Sequence, residues 1–374
     1  MGFSIKVPGR ICFFGDHQDY LGLPVIAGTI DRFLFLEVEA IQDNYFEISL
    51  LDTGEQIRVS IDPFTPANSP RNYFESGLSF LHNKGAVFSQ GYSLTIKSDI
   101  PINAGLSSSS ALVIAWLRFL LNVQQNIPQP TNSVLGHWAY EVEVLAFEQP
   151  GGLMDQYTIA QGGLLYIDTD SQQSQPLPLP TCHWVVAESG VEKKTLSVLK
   201  NAREWQQKAL KAVLMKEPEF QLKQSNTHDY SRFLNTIPES LHAHWYASIY
   251  NYDITRKARE VFLGNADPNT LGELINAHQN ILSNHIKNTP ETLVQMLNKA
   301  NDAGALGSKI IGSGGGGCMV SLVTETNQDS VIDAYKKAGA KKAYRITITP
   351  SHEEYTIGHY GRRGFLSYEK LIGC

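Results

Sequence analysis

Four consecutive serines, Ser107 to Ser110, have the clearest chemical meaning of any polar residues in the chain, and they closely follow Gly105. The preceding segment 92–97 alternates in a way that predicts a β-strand, and the apolar segment 111–117 predicts a buried helix. The serines therefore fall at a helix start, which offers unpaired N–H groups and the positive end of a dipole. A capping serine with a polar linker is the simpler interpretation. Four serines beside a glycine favour a polyphosphate site.

A second group with chemical potential contains two carboxylates and a histidine: Asp16, His17 and Asp19. It lies in a polar turn directly after segment 4–14, whose apolar residues predict a strand. Carboxylates and imidazoles can hydrogen-bond a polar ligand, but the same residue types also occur in solvated turns. Both interpretations stay open for this turn.

Asp155 is a lone acid that follows a helix-breaking segment, Pro150 to Gly152. An acid in this position either caps the next helix or acts as a catalytic group, and the cap is favoured when the position is considered alone. Because the residues after it are almost all uncharged, we expect the side chain of Asp155 to be largely buried.

A glycine-rich run from Gly312 to Gly317 forms the third motif. It contains the spacing of a dinucleotide-binding fingerprint, but that fingerprint needs a strand before it and a helix after it. Here segment 318–323 predicts a strand, so strands flank the run on both sides. The run is then either a loop whose backbone approaches another group closely or a flexible hairpin.

Composition limits the class of protein. The chain has 374 residues, 42% of them hydrophobic, which suffices for a sizeable core and suggests two domains. The net charge of −6 argues against nucleic acid as a partner, and no apolar run reaches membrane-spanning length. The N-terminus lacks a secretory hydrophobic region, and the four cysteines lack metal-ligand spacing. We expect a cytoplasmic protein with a small-molecule partner, as a monomer or weak homodimer.

The coarse order of elements predicts strands in the first part of the chain and helices in the second. Segment 131–147 predicts one helix, and Ser171 to Pro180 is polar and proline-rich, which suits a linker. We therefore predict one domain over residues 1–180 and another over residues 181–374.

In their order and spacing, these motifs resemble those of the GHMP kinases, which include galactokinase, homoserine kinase, mevalonate kinase and phosphomevalonate kinase. The resemblance runs from Val7 to about Ile348 and is strongest to the galactokinase branch. The segments that carry it are Pro8-Gly9-Arg10, Gly15 to Tyr20, Gly152 to Gln156, Gly304 to Gly307 and Ile311 to Cys318.

The resemblance implies an α+β, two-domain GHMP kinase fold. Its N-terminal domain would be of the ribosomal-protein-S5 type and its C-terminal domain ferredoxin-like. The chain departs from the galactokinase pattern at Asp16, where that branch carries Glu, at Gln18 and at Ser110, and segment 191–250 is longer. Because Asp16 is one methylene shorter, we expect a pocket that accommodates sugars other than galactose.

The resemblance also implies the roles of individual residues. ATP would bind the first glycine–serine loop and be covered by the second glycine run, at Gly105, Leu106, Ser107, Ser108, Ser109, Gly314, Gly315 and Gly316. Mg²⁺ would be held by Ser108 or Ser109 and by Glu143, with Glu141 as the alternative. Asp155 would accept a proton with Arg10 beside it, and the sugar would contact Asp16, His17, Asp19, Gly152 and Tyr252.

The implied function is ATP- and Mg²⁺-dependent phosphorylation of a monosaccharide, most simply at its anomeric hydroxyl. Candidate acceptors are galactose, a uronic acid, arabinose or an N-acetylhexosamine. Two alternatives belong to other classes: a kinase of another alcohol, such as mevalonate, and a non-catalytic sugar- and ATP-binding regulator.

Overall fold

A computed structural model describes residues 2–62, 72–192, 195–351 and 358–360. The strands are β1 (Gly2–Phe14), β2 (Val25–Ile41), β3 (Tyr45–Leu50), β4 (Glu55–Ser60), β5 (Gly91–Ser98), β6 (Leu164–Asp168), β7 (Gln173–Leu177), β8 (His183–Glu188), β9 (Gly307–Ile310), β10 (Cys318–Val323), β11 (Lys342–Ile346) and β12 (Gly358–Tyr360). The α-helices are α1 (Tyr73–Asn83), α2 (Ser108–Val123), α3 (Asn132–Tyr140), α4 (Met154–Gln161), α5 (Thr195–Lys216), α6 (His228–Phe233), α7 (His242–Leu263), α8 (Pro268–Ile281), α9 (Glu291–Asp302) and α10 (Gln328–Lys337).

The N-terminal lobe is built on one sheet, which has eight strands within the described residues. Its main path runs β12-β1-β2-β5-β3-β4, and β6 and β7 extend it from β2. The pairing of β1 with β2 shifts register between Pro8 and Gly9, because proline has no N–H to give to the ladder. Helix α2 packs on β1 and buries Val113, Trp116 and Leu120 completely.

The C-terminal lobe is built on an antiparallel sheet of the order β11-β8-β10-β9, counted over the described residues. With helices between β8 and β9 and α10 between β10 and β11, this is the ferredoxin-like arrangement. The two-domain α+β prediction is confirmed. A hydrophobic core continues from one lobe to the other, and the rings of Phe13 and Trp184 lie 4.7 Å apart between them.

One prediction about local structure is wrong, and another is confirmed except for one turn. The segment interpreted as a linker, 171–180, contains β7, which pairs with β6 because backbone hydrogen bonds offset its polar side chains. The helix predicted over 131–147 is present from Asn132 to Leu145, but only its first part, α3, is α-helical, and its last turn, Glu141–Leu145, is π-helical. Apolar periodicity does not reveal such a turn, because it inserts one residue into an otherwise regular helix.

Within the described residues, the chain passes between the lobes twice. It leaves the first sheet after β7 and enters the second at β8; after β11 it returns, where Ile348 bridges Ile30. The two passages are neighbours, since Ile346 at the end of β11 is the register partner of Trp184 near the start of β8.

Candidate active site

A cavity of about 170 Å³ lies between the lobes, next to the serine loop. It is smaller than the roughly 300–1,000 Å³ of sites for drug-sized ligands, so it suits a small molecule. The polar side chains that line it come from β1, the polar turn after it, the serine loop, the π turn, the segment after that turn, the start of α4 and the glycine run: Arg10, Asp16, His17, Asp19, Ser109, Glu143, Gln149, Asp155, Gln156 and Ser313.

Arg10 and Asp155 form a bidentate ion pair at the floor of this cavity. Arg10 Nε lies 2.8 Å from Asp155 Oδ1, and Nη2 lies 2.6 Å from Oδ2. The third donor group, Nη1, binds the carbonyl oxygen of Gly105 at 2.6 Å. Asp155 sits in the first turn of α4, and its side chain is 28% exposed, more than the largely buried state predicted from its neighbours. The exposed part faces the cavity, so the carboxylate is accessible to a ligand.

The serine loop divides its residues between the core and the cavity. Leu106 is buried, and its carbonyl oxygen accepts a hydrogen bond from the backbone N–H of Arg10 at 3.2 Å. Ser107 has φ 59°, makes no capping bond to α2, and donates its hydroxyl to Asp155 Oδ2 at 2.5 Å. Among the predicted phosphate ligands, Ser108 and Ser109 begin the helix and have accessible side chains. The side chain of Ser107 is buried and hydrogen-bonds Asp155 instead.

Only one of the two candidate metal-binding glutamates faces the cavity. The π turn places Glu143 there, 5% exposed, and Gln156 Nε2 donates to its Oε2 at 2.7 Å. Glu141 points elsewhere and pairs with His137 at 3.1 Å. Burial raises the pKa of Glu143, and hydrogen bonds from Gln156 and the loop serines partly oppose the rise.

The donor set around Glu143 fits Mg²⁺. Ser109 and Glu143 supply hard oxygen donors to the same cavity. In the part of the chain that the structure describes, no group of three or more His, Cys, Asp or Glu side chains could hold a metal by itself. A site with one carboxylate matches a cation that keeps water and phosphate oxygens as most of its ligands.

Asp16 forms a buried ion pair with Lys309, a residue that the sequence analysis missed. Lys309 Nζ lies 2.7 Å from Asp16 Oδ2, and the two side chains are 0% and 1% exposed. The backbone N–H of Gly312 donates to Asp16 Oδ1 at 2.8 Å. Burial opposes ionisation of Asp16, but the charge and hydrogen bond of Lys309, together with the charges of His278 and His17, outweigh it and lower the pKa of Asp16. Both carboxylate oxygens are thus engaged, one by Lys309 in β9 and the other by the start of the glycine loop. This leaves less of the carboxylate available to the sugar contact expected for Asp16.

Asp19 presents the second carboxylate of the cavity. Its Oδ1 accepts from the Tyr20 N–H at 3.0 Å, and a Cβ added to Gly152 would lie 2.1 Å from its Oδ2. Any side chain at position 152 would therefore clash with the Asp19 carboxylate. Burial, and after it the charge of Asp155, raise the pKa of Asp19 to about 6.

His17 and Asn288 fix the glycine loop from the two sides. His17 Nε2 lies 2.9 Å from the Ser313 carbonyl oxygen and 2.9 Å from Asn288 Nδ2. The Gly315 N–H donates to the Asn288 carbonyl oxygen at 2.6 Å, and a Cβ on Gly314 would approach that oxygen to 2.5 Å. The loop is thus a close-packed hairpin between β9 and β10, not a flexible one.

The glycines predicted to cover the nucleotide lie behind the cavity wall. Gly314 has φ 77° and Gly316 φ 140°, and a Cβ on Gly316 would lie 2.6 Å from the Glu192 carbonyl oxygen. Among the described residues it is Gly312 and Ser313 that line the cavity. Gly314, Gly315 and Gly316 shape the loop that presents these two residues.

Tyr252 is not brought to the cavity. Its hydroxyl donates to the Lys223 carbonyl oxygen at 2.8 Å, and Arg256 lies over its ring. Its neighbour on α7, Asn251, turns the other way and donates to the Asp16 carbonyl oxygen at 2.8 Å. Because a one-residue step on a helix changes the face, Asn251 and not Tyr252 faces the turn that carries Asp16.

Three residues that contact the site were not predicted from the sequence, although two of them stand in recognisable patterns. Lys309 is a lone charge in the apolar stretch that precedes Gly312, which indicates a buried partner. Gln156 directly follows Asp155 and lay inside a recognised motif. Asn288, between two predicted helices, carried no distinguishing pattern.

Comparisons with known proteins agree with this architecture. Residues 72–163 match the family of GHMP kinases N terminal domain, and residues 260–341 match GHMP kinases C terminal. A mevalonate kinase of Thermococcus sibiricus is 27% identical over 89% of this chain and 92% of its own, and a galactokinase of Pyrococcus furiosus is 25% identical over 93% and 97%.

Solved structures show the same fold. Lactococcus lactis galactokinase complexed with galactose superimposes with a TM-score of 0.82, at 23% identity over 94% of this chain and 95% of its own. Methanococcus jannaschii mevalonate kinase gives 0.71, at 18% identity over 92% and 98%. No helix within the described residues has the length and apolarity to cross a membrane. With the two matched regions in order and the resembling motifs gathered around one cavity, the chain carries the N- and C-terminal domains of the GHMP kinases.

Proposed function

We propose that this protein transfers the γ-phosphoryl group of ATP to a hydroxyl of an uncharged monosaccharide, the anomeric one, giving a sugar 1-phosphate. One observation carries the proposal. Arg10 is the only lysine or arginine among the described residues that line the cavity, and its three donor groups bind Asp155 and Gly105. The cavity therefore offers several carboxylates to hydroxyl groups, and the one cation that lines it among the described residues is already paired with Asp155, so an anionic acceptor would meet an excess of negative charge.

In the proposed reaction, Asp155 accepts the proton of the attacking hydroxyl while the bond from that oxygen to the γ-phosphorus forms. The bond from the γ-phosphorus to the bridging oxygen breaks and ADP leaves. Arg10 keeps Asp155 ionised, because an opposite charge at hydrogen-bond distance favours the charged form. Positioning of the two reactants contributes most of the rate in such transfers.

The nucleotide would lie against the start of α2, where Ser108 and Ser109 add hydroxyls to the N–H groups of the first turn. Mg²⁺, when bound through Glu143 and Ser109, would neutralise charge on the phosphates. On the acceptor side, Asp19 would take hydrogen bonds from sugar hydroxyls. An analogue without those hydroxyls would leave the carboxylate unpaired in the cavity, which gives selectivity.

The test is ATP turnover over a panel of neutral sugars, uronic acids and mevalonate, with the phosphorylated carbon identified by NMR. We expect turnover with a neutral sugar and a product carrying phosphate on its anomeric carbon. Asp155→Asn protein purified in parallel controls for contaminating kinases. Turnover with mevalonate alone contradicts the proposal, and binding of ATP and sugar with no turnover favours a regulator.

A mevalonate-type alcohol kinase is the second candidate, since such enzymes are among the relatives. Mevalonate carries a carboxylate and needs a cation. Arg203 on α5, whose Nη1 donates to the Pro150 carbonyl oxygen at 3.2 Å at the cavity wall, is the described residue that would supply one. If this candidate is right, Arg203→Met raises KM for mevalonate at least tenfold; turnover of a neutral sugar should not respond.

A further inference from the structure

Gln156 stands out among the polar residues of the cavity because half of its amide has no partner. The residue is 2% exposed and lies in the first turn of α4, next to Asp155. Its Nε2 donates to Glu143 Oε2 at 2.7 Å and to Ser110 Oγ at 3.4 Å. Its Oε1 is buried and accepts no hydrogen bond within the described residues.

The orientation of this amide follows from its neighbour. A carboxylate can only accept hydrogen bonds, so Gln156 must turn its NH₂ group toward Glu143, which leaves Oε1 as the unpaired atom. A buried acceptor without a partner is unfavourable by about 1–3 kcal/mol, so such an atom calls for an explanation. The two ends of one amide are fixed close together, so Oε1 lies within a few ångström of the Glu143 carboxylate.

Resting on the metal-dependent function above, we propose that Gln156 is a further protein residue of the cation site: its NH₂ group orients Glu143 and its Oε1 supplies another oxygen to the divalent cation or to a water bound to it. A neutral amide oxygen beside one carboxylate is a hard donor of the kind that Mg²⁺ accepts. Hydrogen bonds that orient a ligating carboxylate commonly change metal affinity by about 10- to 100-fold.

The experiment measures Mn²⁺ binding to the full-length protein in the presence of ADP, by the loss of the electron paramagnetic resonance signal of free Mn²⁺. It needs no acceptor sugar. We expect Gln156→Met, which keeps the length of the side chain and removes both polar atoms, to weaken Mn²⁺ binding at least tenfold. Gln156→Glu keeps an oxygen in place of Oε1 but loses the NH₂ donor to Glu143, so we expect it to weaken Mn²⁺ binding less than Gln156→Met does.

Gln161→Met is the matched control, because Gln161 ends the same helix and instead contacts Tyr157 and Ser174. It should bind Mn²⁺ as the wild type does. Unchanged affinity in Gln156→Met, with a normal circular dichroism spectrum, overturns the proposal. Equal losses in Gln156→Met and Gln156→Glu also overturn it, because the NH₂ group alone would then matter. If wild-type protein with ADP binds no Mn²⁺, the proposed kinase function itself is wrong.

Discussion

The buried pair of Asp16 and Lys309 makes a quantitative prediction. Replacing Lys309 by Met leaves a carboxylate that is 1% exposed without its cation. Breaking a buried pair by removing one partner costs about 3–5 kcal/mol, so we expect Lys309→Met to lower the free energy of unfolding by that amount at pH 7. The pKa of Asp16 is lowered in the folded protein, so the pair stabilises it above the pKa of an unfolded aspartate and this contribution is lost in acid.

The double variant tests whether the pair itself is responsible. Asp16→Asn with Lys309→Met removes both charges and keeps an acceptor for the Gly312 N–H, and such neutral replacements are often tolerated. We expect it to lie within about 2 kcal/mol of wild type, so the effects of the single changes will not add.

The assay is urea unfolding followed by circular dichroism, with stability extrapolated to water. Lys257→Met is the control, because Lys257 is 63% exposed and pairs with Asp253 at the surface; it should change stability by at most about 1 kcal/mol. A loss below about 1 kcal/mol in Lys309→Met would refute the reasoning, and so would a double variant as unstable as the sum of the singles.

Three further predictions concern activity. Asp155→Asn should lower kcat by roughly 100-fold or more while calorimetry still detects sugar and ATP, and a near-normal kcat would exclude it as the base. Because the pKa of Asp19 is raised to about 6 and its ionised form accepts hydroxyls, kcat/KM for the sugar should fall as pH drops through about 6; Asp19→Asn should abolish this dependence. Gly314→Val should yield little active protein, since its Cβ would meet the Asn288 carbonyl oxygen, and wild-type activity and melting temperature would contradict that packing.

The elements of the site that depend on local sequence could be predicted. The serines at the start of α2 and the glycines between β9 and β10 could be found because turns and helix starts need particular residue types. The pairing of Arg10 with Asp155, 145 positions apart, came from the family resemblance, since no local pattern joins them.

What could not be predicted depends on contacts between distant segments. Hydrophobic periodicity does not reveal the π turn, which directs Glu143 rather than Glu141 toward the cavity. The buried pairing of Asp16 could not be predicted, because its partner, Lys309, lies 293 positions away. The exposure of Asp155 was underestimated because a functional cavity leaves a charged group accessible in an otherwise apolar stretch.

The two passages of the chain between the lobes have a mechanical consequence. Since Trp184 and Ile346 are register partners, the two covalent links between the lobes lie side by side. Beside these links, the shared hydrophobic core and the buried pair of Asp16 and Lys309 also join the two lobes. The covalent links, the core and the ion pair therefore act together to hold the glycine hairpin beside the serine loop, where the Cys318 N–H donates to the Ala104 carbonyl oxygen at 2.7 Å.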